Sequence, residues 1–196
     1  MVDAALDIGY STQKTYDLLN EALPFLLGIC CVHFAIKKAI HGFCGHWKTR
    51  EGFEAAGWTA FNGTVLLYDV VSLGFGLTAL YNGQMSSLAG SPHDRVHGYS
   101  SFASSLCALT AAFEAYNTAL CVLVYPQGLA MIGHHVVTFG LAFIGTAPYV
   151  HFYALFFFGI ANLSSVALAG YTVCEALKPR YAIFERLHAA LQVAFA

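Results

Sequence analysis

The chain has 196 residues, of which 58% are hydrophobic and only 10% are charged, and nine basic residues against eleven acidic ones leave a formal net charge of −2. A typical soluble domain is about 25% charged, so this composition excludes a soluble enzyme and a disordered chain. It also excludes nucleic acid as a partner, because so few basic residues cannot neutralise a phosphate backbone.

The apolar stretches predict an all-α fold that crosses a membrane several times. Between Glu114 and Glu175 there is no Asp, Glu, Lys or Arg, and such a run fits two membrane-spanning helices and most of a third. The predicted spans are residues 22–40, 53–81, 99–125, 128–147 and 149–173. From about Tyr181 onwards, polar and apolar residues separate onto two helical faces, which indicates an amphipathic helix or the beginning of a sixth span. We therefore expect a single transmembrane bundle over residues 1–196.

The basic residues predict how this bundle is oriented. With five spans, seven of the nine bases fall on one side of the membrane: Lys37, Lys38, Lys48, Arg50, Lys178, Arg180 and Arg186. The acidic N-terminus and Arg95 fall on the other side. The positive-inside rule then places the N-terminus outside and the C-terminus inside.

Metal-binding patterns are weak in this sequence. The six cysteines form no Cys-x-x-Cys pair, and most of them lie in apolar runs, where a free cysteine acts as a small hydrophobe. His93 and His97 have a helical spacing that would suit a metal, but no further ligand is near them in the sequence. We expect no metal site.

A few polar and ionisable residues lie deep in the predicted spans, where their desolvation is costly: His33, Asp69, Glu114, His134, His135, His151 and Asn162. His134 and His135 point about 100° apart on a helix, so we expect them to face different neighbours. Asp69 and Glu114 lie near the middle of their spans. A contact between a histidine and a carboxylate would satisfy both groups, and it could also serve general acid–base chemistry.

Three segments of the second half resemble the family of TLC-domain membrane proteins, which includes the ceramide synthases and the translocating-chain-associated membrane protein. The stretch 131–138, with His134 and His135, is similar to the family's double-histidine signature. The stretch Asn162-Leu163-Ser164-Ser165 resembles an acidic-Leu-Ser-Ser segment, and Glu175-Ala176-Leu177-Lys178 resembles a Glu-Ala-Leu-Lys segment of the small members. The three fall in register, and the resemblance covers about residues 98–190.

The sequence also departs from the pattern of this family. Asn162 stands where the family has an acidic residue, and an amide can orient a histidine but cannot stabilise an imidazolium charge. The family's next helix is incomplete at Ala196, so we expect one flank of the bundle to be open. The resemblance therefore implies a non-catalytic, lipid-contacting accessory subunit of a larger membrane complex, with bound lipid and no other cofactor. Its expected lipid-binding residues are His134, His135, Asn162 and Ser165.

Two other interpretations stay open at this point. One is a ceramide-synthase-like acyltransferase, or a sphingolipid-regulating protein of the endomembrane system; in the enzyme, His134 or His135 would be the general base, and Glu114 or Asp69 would replace the missing carboxylate. The other is a carrier of haem or chlorophyll, held by histidines of the spans. The partners expected are membrane lipids and other subunits, in the mitochondrial inner membrane or the thylakoid ahead of the endoplasmic reticulum.

Overall fold

The computed structural model describes residues 12–43, 50–177 and 182–195, and every regular element in these ranges is a helix. The long helices are α1 (Thr12–Phe43), α2 (Arg50–Tyr81), α5 (Ser101–Leu123), α6 (Leu129–Ile144), α8 (Asn162–Leu177) and α9 (Ala182–Phe195). Three short helices lie between them: α3 (Gln84–Leu88), α4 (Pro92–His97) and α7 (His151–Ala154). A π-helical segment, Leu155–Ile160, joins α7 to α8. The predicted all-α fold is confirmed; most of the acidic N-terminus and of the first loop lies outside the described residues.

Four segments in the described part of the chain are long and apolar enough to cross a membrane: Leu19–Gly42, Glu54–Tyr81, Ser101–Leu123 and His151–Leu177. They correspond to the predicted first, second, third and fifth spans. The predicted fourth span is the apolar helix α6, which is shorter than expected. Its sixteen residues extend about 24 Å at 1.5 Å per residue, whereas the hydrocarbon core of a bilayer is about 30 Å thick.

The packing of the helices leaves a gap on one side of the bundle. Helix α5 is the most buried of the long helices and packs against α1 and α6. Helix α2 packs against α1 and α8, and α9 packs on the outside of α8. Helices α6 and α8 are thus held by different neighbours and do not pack along each other, which leaves space between them.

Two glycines hold α2 close to the π-helical segment. A Cβ atom added at Gly76 would lie 2.6 Å from the backbone nitrogen of Ile160 and 2.8 Å from Cα of Gly159. A Cβ added at Gly159 would in turn lie 2.7 Å from Cα of Gly76. Small residues allow helices in a membrane to approach this closely.

One buried histidine fixes the connections at one end of the bundle. His151 is fully buried; its Nδ1 accepts a hydrogen bond from the backbone N–H of Ser100 (2.9 Å), and its Nε2 donates to the carbonyl oxygen of Gly145 (3.0 Å). Ser100 also caps α5, because its hydroxyl accepts from the N–H of Ala103. His151 therefore connects the start of α5, the end of α6 and the start of α7.

Candidate functional site

A cavity of about 580 Å³ lies between α2, α5, α6, α8 and the π-helical segment. The six residues expected from the sequence to bind lipid or to act in catalysis all line it: Asp69, Glu114, His134, His135, Asn162 and Ser165. They come from four helices that are distant in the sequence, so the fold has gathered them at one place.

His135 and Glu114 form the central contact of this cavity. Both are buried, and His135 Nδ1 lies 2.7 Å from Glu114 Oε2, which is within the range of a charge-assisted hydrogen bond. The amide nitrogen of Asn117 lies 3.3 Å from each nitrogen of the same ring. If Nδ1–H donates to the carboxylate, Nε2 is the acceptor for Asn117, whose oxygen accepts in turn from the thiol of Cys121 at 3.5 Å. The expected contact between a histidine and a carboxylate is therefore present.

His134 borders the same cavity nearer its mouth. Its side chain is exposed, and its ring centroid lies 5.4 Å from that of His135 in an edge-to-face arrangement. His135 contacts Glu114 and Asn117, whereas His134 is exposed, so the two rings have different neighbours as expected, although both line one cavity. Because adjacent helical residues point about 100° apart, one of the two rings is buried and the other is exposed within the same cavity.

Asp69 is a second carboxyl group inside the cavity. It is only 5% exposed, and no hydrogen bond to it is found in the described part of the chain. It interacts electrostatically with Glu114. Two carboxyl groups facing one space of low polarity favour a ligand that brings hydrogen-bond donors or positive charge.

Asn162 does not act as the partner of a histidine in this structure. Its amide donates to the carbonyl oxygen of Phe158, one turn earlier in its own chain, at 3.0 Å. The carboxylate beside the histidine comes from Glu114 on α5 instead.

Most of the remaining cavity wall is apolar, with Asn62, Gln127, Thr138 and Thr172 as further polar residues. Aromatic and aliphatic side chains make up much of it: Phe61, Tyr68, Phe113, Leu141, Phe157, Phe158 and Leu168. Tyr68 and Phe113 stack face to face with 3.7 Å between ring centroids, and the Tyr68 hydroxyl donates to Thr110 at 3.0 Å. A small polar centre within an apolar wall suits a ligand with the same division.

Sequence reasoning missed Asn117. It lies three residues after Glu114, hence on the same face of α5, in the middle of an apolar helix. A polar residue at this spacing from a buried carboxylate was the signal that could have identified it.

The described residues do not bring a metal-binding group together. No set of three or more His, Cys, Asp or Glu residues in the described ranges is placed to hold a metal ion. The four histidines proposed for a haem or chlorophyll site do not converge, since only His134 and His135 line the cavity. His33 Nδ1 lies 2.8 Å from the Tyr116 hydroxyl, and both ring nitrogens of His151 are engaged by the backbone.

Comparison with known protein families agrees with this architecture. The model of the TLC domain matches residues 62–196, which extends the resemblance from α5 back into α2. The match therefore covers all of the elements that line the cavity except the first part of α2, which contributes Trp58 and Phe61. No curated protein and no solved structure is significantly similar to the chain. Because the family model spans well over half of the sequence, the chain belongs to the TLC-domain family of membrane proteins.

Proposed function

We propose that this protein binds a single membrane lipid in the cavity between α6 and α8. The observation that carries the proposal is the hydrogen-bonded pair of Glu114 and His135, which lies inside a largely apolar cavity at membrane depth. Polar groups in that position are costly unless they are paired or bind something. The pair, together with Asp69, offers acceptors and a polarised imidazole to a hydroxyl or amine group of the lipid.

The shape of the bundle supports entry from the side. Helix α6 packs along α5, and α8 packs along α2, so the cavity opens through the space between α6 and α8. Exposed apolar residues stand on both sides of this opening, for example Met131 on α6 and Leu168 on α8. A lipid could then enter from the bilayer while its chain stays in an apolar environment.

A second candidate function is acyl transfer, and one contact favours it. The sequence favours an inert protein because Asn162 stands where the family has an acidic residue that would orient the histidine. Glu114 provides such a carboxylate, 2.7 Å from His135 Nδ1. With Nδ1–H held there, Nε2 of His135 would exchange its hydrogen bond from Asn117 for a proton from an amine or hydroxyl that attacks an acyl thioester. The carbon–sulfur bond of the thioester would then break, and the imidazolium would return the proton to the leaving thiolate. Loss of activity in His135→Ala, with lipid binding retained, would establish this chemistry.

We also propose that the chain is an accessory subunit of a larger membrane complex. It is supported by large apolar side chains that α1 leaves exposed, including Leu27 and Phe34. Migration of the gently extracted protein with other subunits at fixed stoichiometry would support it, and migration alone would contradict it. The organelle stays a prediction: the mitochondrial inner membrane or the thylakoid ahead of the endoplasmic reticulum.

The proposed topology has five spans, with α6 crossing the membrane as a short helix and the N-terminus outside. Its support is the distribution of the basic residues, seven of which share one side in this arrangement. The bilayer could become thinner around the short helix α6, or the turns on either side of α6 could cover the remaining thickness of the hydrocarbon core.

Filling the cavity tests the lipid-binding proposal. Ser165 lines the cavity, whereas its neighbour Ser164 is exposed and does not line it. We expect native mass spectrometry of the purified full chain to show one retained lipid in the parent and in Ser164→Trp, and none in Ser165→Trp. Equal lipid retention in the two tryptophan variants would overturn the proposal.

A further inference from the structure

A second concave surface lies at one end of the bundle, next to the cavity. We call it the outer groove; it has a volume of about 570 Å³ and lies at the start of α2 and the loop after α5. Two residues line both spaces: Trp58 on α2 and Gln127 in the loop between α5 and α6. The two spaces therefore adjoin, and we call the place between Trp58 and Gln127 the neck.

Polar side chains lead from the neck to the hydrogen-bonded pair of the cavity. Asn62 lines the cavity one helical turn after Trp58 on α2, about 6 Å further in. Asn117 lines it too, and its amide nitrogen lies 3.3 Å from each nitrogen of the His135 ring. Together with Gln127, these amides offer a polar molecule both donors and acceptors on its way from the neck to the imidazole.

The opposite end of the cavity is closed by the packing of the protein. Leu141 is the last residue of α6 that lines the cavity. Beyond it, a Cβ atom added at Gly145 would lie 2.7 Å from the sulfur of Cys107, and both His151 and Leu155 are fully buried. The part of the chain that the structure describes therefore offers a polar molecule no comparable route at this end.

We propose that the neck is a second entrance to the cavity, through which water and small polar molecules reach the Glu114–His135 pair from one side of the membrane. The gap between α6 and α8 admits the apolar part of a ligand from the bilayer, whereas the neck admits polar molecules from the aqueous phase. This entrance rests on the proposed function, since a route to the pair matters only if the cavity holds a ligand.

Trp58 acts as the gate of the neck. Its ring lies 5.5 Å from that of Tyr125, edge to face, and 5.5 Å from that of the buried Phe61. Gly57 leaves room for the Tyr125 hydroxyl, because a Cβ atom at this position would collide with that oxygen. The Trp58 side chain is 38% exposed, so it can swing towards solvent, but only by breaking its two ring contacts.

The test measures where a charged, membrane-impermeant thiol reagent reaches the full chain in sealed vesicles, with the modified residues located by peptide mass spectrometry. Gly128→Cys in the loop after α5 marks the side of the neck, because a Cβ atom added there meets nothing within 4 Å. Asn82→Cys in the turn after α2 marks the other side. Ser165→Cys reports the cavity, and Ser164→Cys is its control, since Ser164 is exposed and does not line the cavity.

We expect Ser165→Cys to react only when the reagent is added on the side at which Gly128→Cys reacts. Ser164→Cys should react from neither side, because a charged reagent does not enter the hydrocarbon around it. Reaction of Ser165→Cys from the Asn82 side, or no reaction from either side, would overturn the proposal. Labelling reports the entrance and lipid retention in native mass spectrometry reports the ligand, so the two proposals can fail separately.

The gate has its own pair of variants, measured as the labelling rate of Ser165→Cys. Trp58→Ala should raise that rate about tenfold, because the neck then opens without breaking the two ring contacts. Gly57→Ala should raise it as well, since the added Cβ displaces Tyr125 from the Trp58 ring.

Gly63→Ala is the control for Gly57→Ala on the same helix, because its Cβ makes only ordinary contacts with Ile36, at 3.5 and 3.6 Å. It should leave the labelling rate unchanged. Equal rates in these two alanine variants, or in Trp58→Ala and the chain that retains Trp58, would overturn the proposal that Trp58 closes the neck.

Discussion

The close contact between Gly76 and Gly159 predicts that a methyl group added at Gly76 destabilises the bundle. In Gly76→Ala, the new Cβ would lie 2.6 Å from the nitrogen of Ile160 and 2.8 Å from Cα of Gly159. These atoms belong to the backbone of a neighbouring element, so no side-chain rotation can relieve the contact. The two helices must separate by somewhat less than about 1 Å to restore ordinary van der Waals distances.

Two opposing contributions determine how much Gly76→Ala changes the stability of the chain. Inserting a methyl group into a closely packed site costs about 1–3 kcal/mol. Replacing glycine by alanine in a helix gains about 0.8–1.0 kcal/mol. Gly74→Ala is the matched control, because Gly74 lies two residues away on the same helix with no atom within 4 Å of its added Cβ. It receives the helix-propensity gain without the clash, so the two variants should differ by about 1–3 kcal/mol.

The assay is the midpoint of thermal unfolding of the two purified variants in the same detergent. For a chain of this size, 1 kcal/mol corresponds to about 2–4 °C, so Gly76→Ala should unfold several degrees below Gly74→Ala. Phe157 and Phe158 of the π-helical segment line the cavity, so Gly76→Ala should also retain less lipid. Equal midpoints for the two variants would refute the close packing of α2 against this segment.

Three further predictions concern the pair, the buried histidine and the topology. Glu114→Leu should destabilise the chain by about 1–3 kcal/mol in thermal unfolding, because it leaves the His135 imidazole buried without its carboxylate. Adding His135→Leu should recover much of that loss. A double variant whose loss of stability equals the sum of the two single losses would contradict the contact. His151→Phe should lower the stability by about 2 kcal/mol or more in the same measurement, because two backbone groups lose their hydrogen bonds to the His151 ring. His93→Phe is the control, since His93 is exposed, and it should leave the stability unchanged. Equal effects of the two substitutions would show that the hydrogen bonds to the His151 ring are not formed. If α6 crosses the membrane, the turn after α2 and the C-terminus lie on opposite sides of it. A cysteine introduced at Asn82 should then react with an impermeant reagent added on the side opposite a C-terminal tag. Labelling from the side that carries the tag would show four spans instead of five.

The membrane bundle itself could be predicted from the sequence, since long uncharged segments have few alternatives. A contact between one of the histidines of the spans and a carboxylate could also be predicted, although not which histidine makes it, because an unpaired imidazole or carboxyl group at that depth is costly. Which carboxylate it would be did not follow. The choice of Glu114 over Asp69 depends on how far α5 and α6 are shifted along each other, and that shift is set by tertiary packing.

Three local features could not be predicted from the sequence, each for a physical reason. Helix α6 ends at Ile144, before the predicted span does, because Gly145 fits against Cys107 and its carbonyl bonds the buried His151. The π-helical segment has no simple signal in the apolar pattern, since its residues suit an α-helix equally well. Asn162 lines the cavity as a predicted lipid-binding residue, but the sequence did not indicate that its amide donates to the Phe158 carbonyl, which lies one turn away on its own chain.

The most direct test of the central claim locates the bound lipid by photo-cross-linking. A phospholipid with a diazirine in its acyl chain is incorporated into membranes that contain the full chain, and labelled residues are identified by peptide mass spectrometry. If a lipid occupies the cavity, Thr138 and Leu168, which line it, should be labelled more than the outward-facing Val137 and Leu163. Ser165→Trp should remove this difference. Uniform labelling of the four positions in the parent chain would contradict the account.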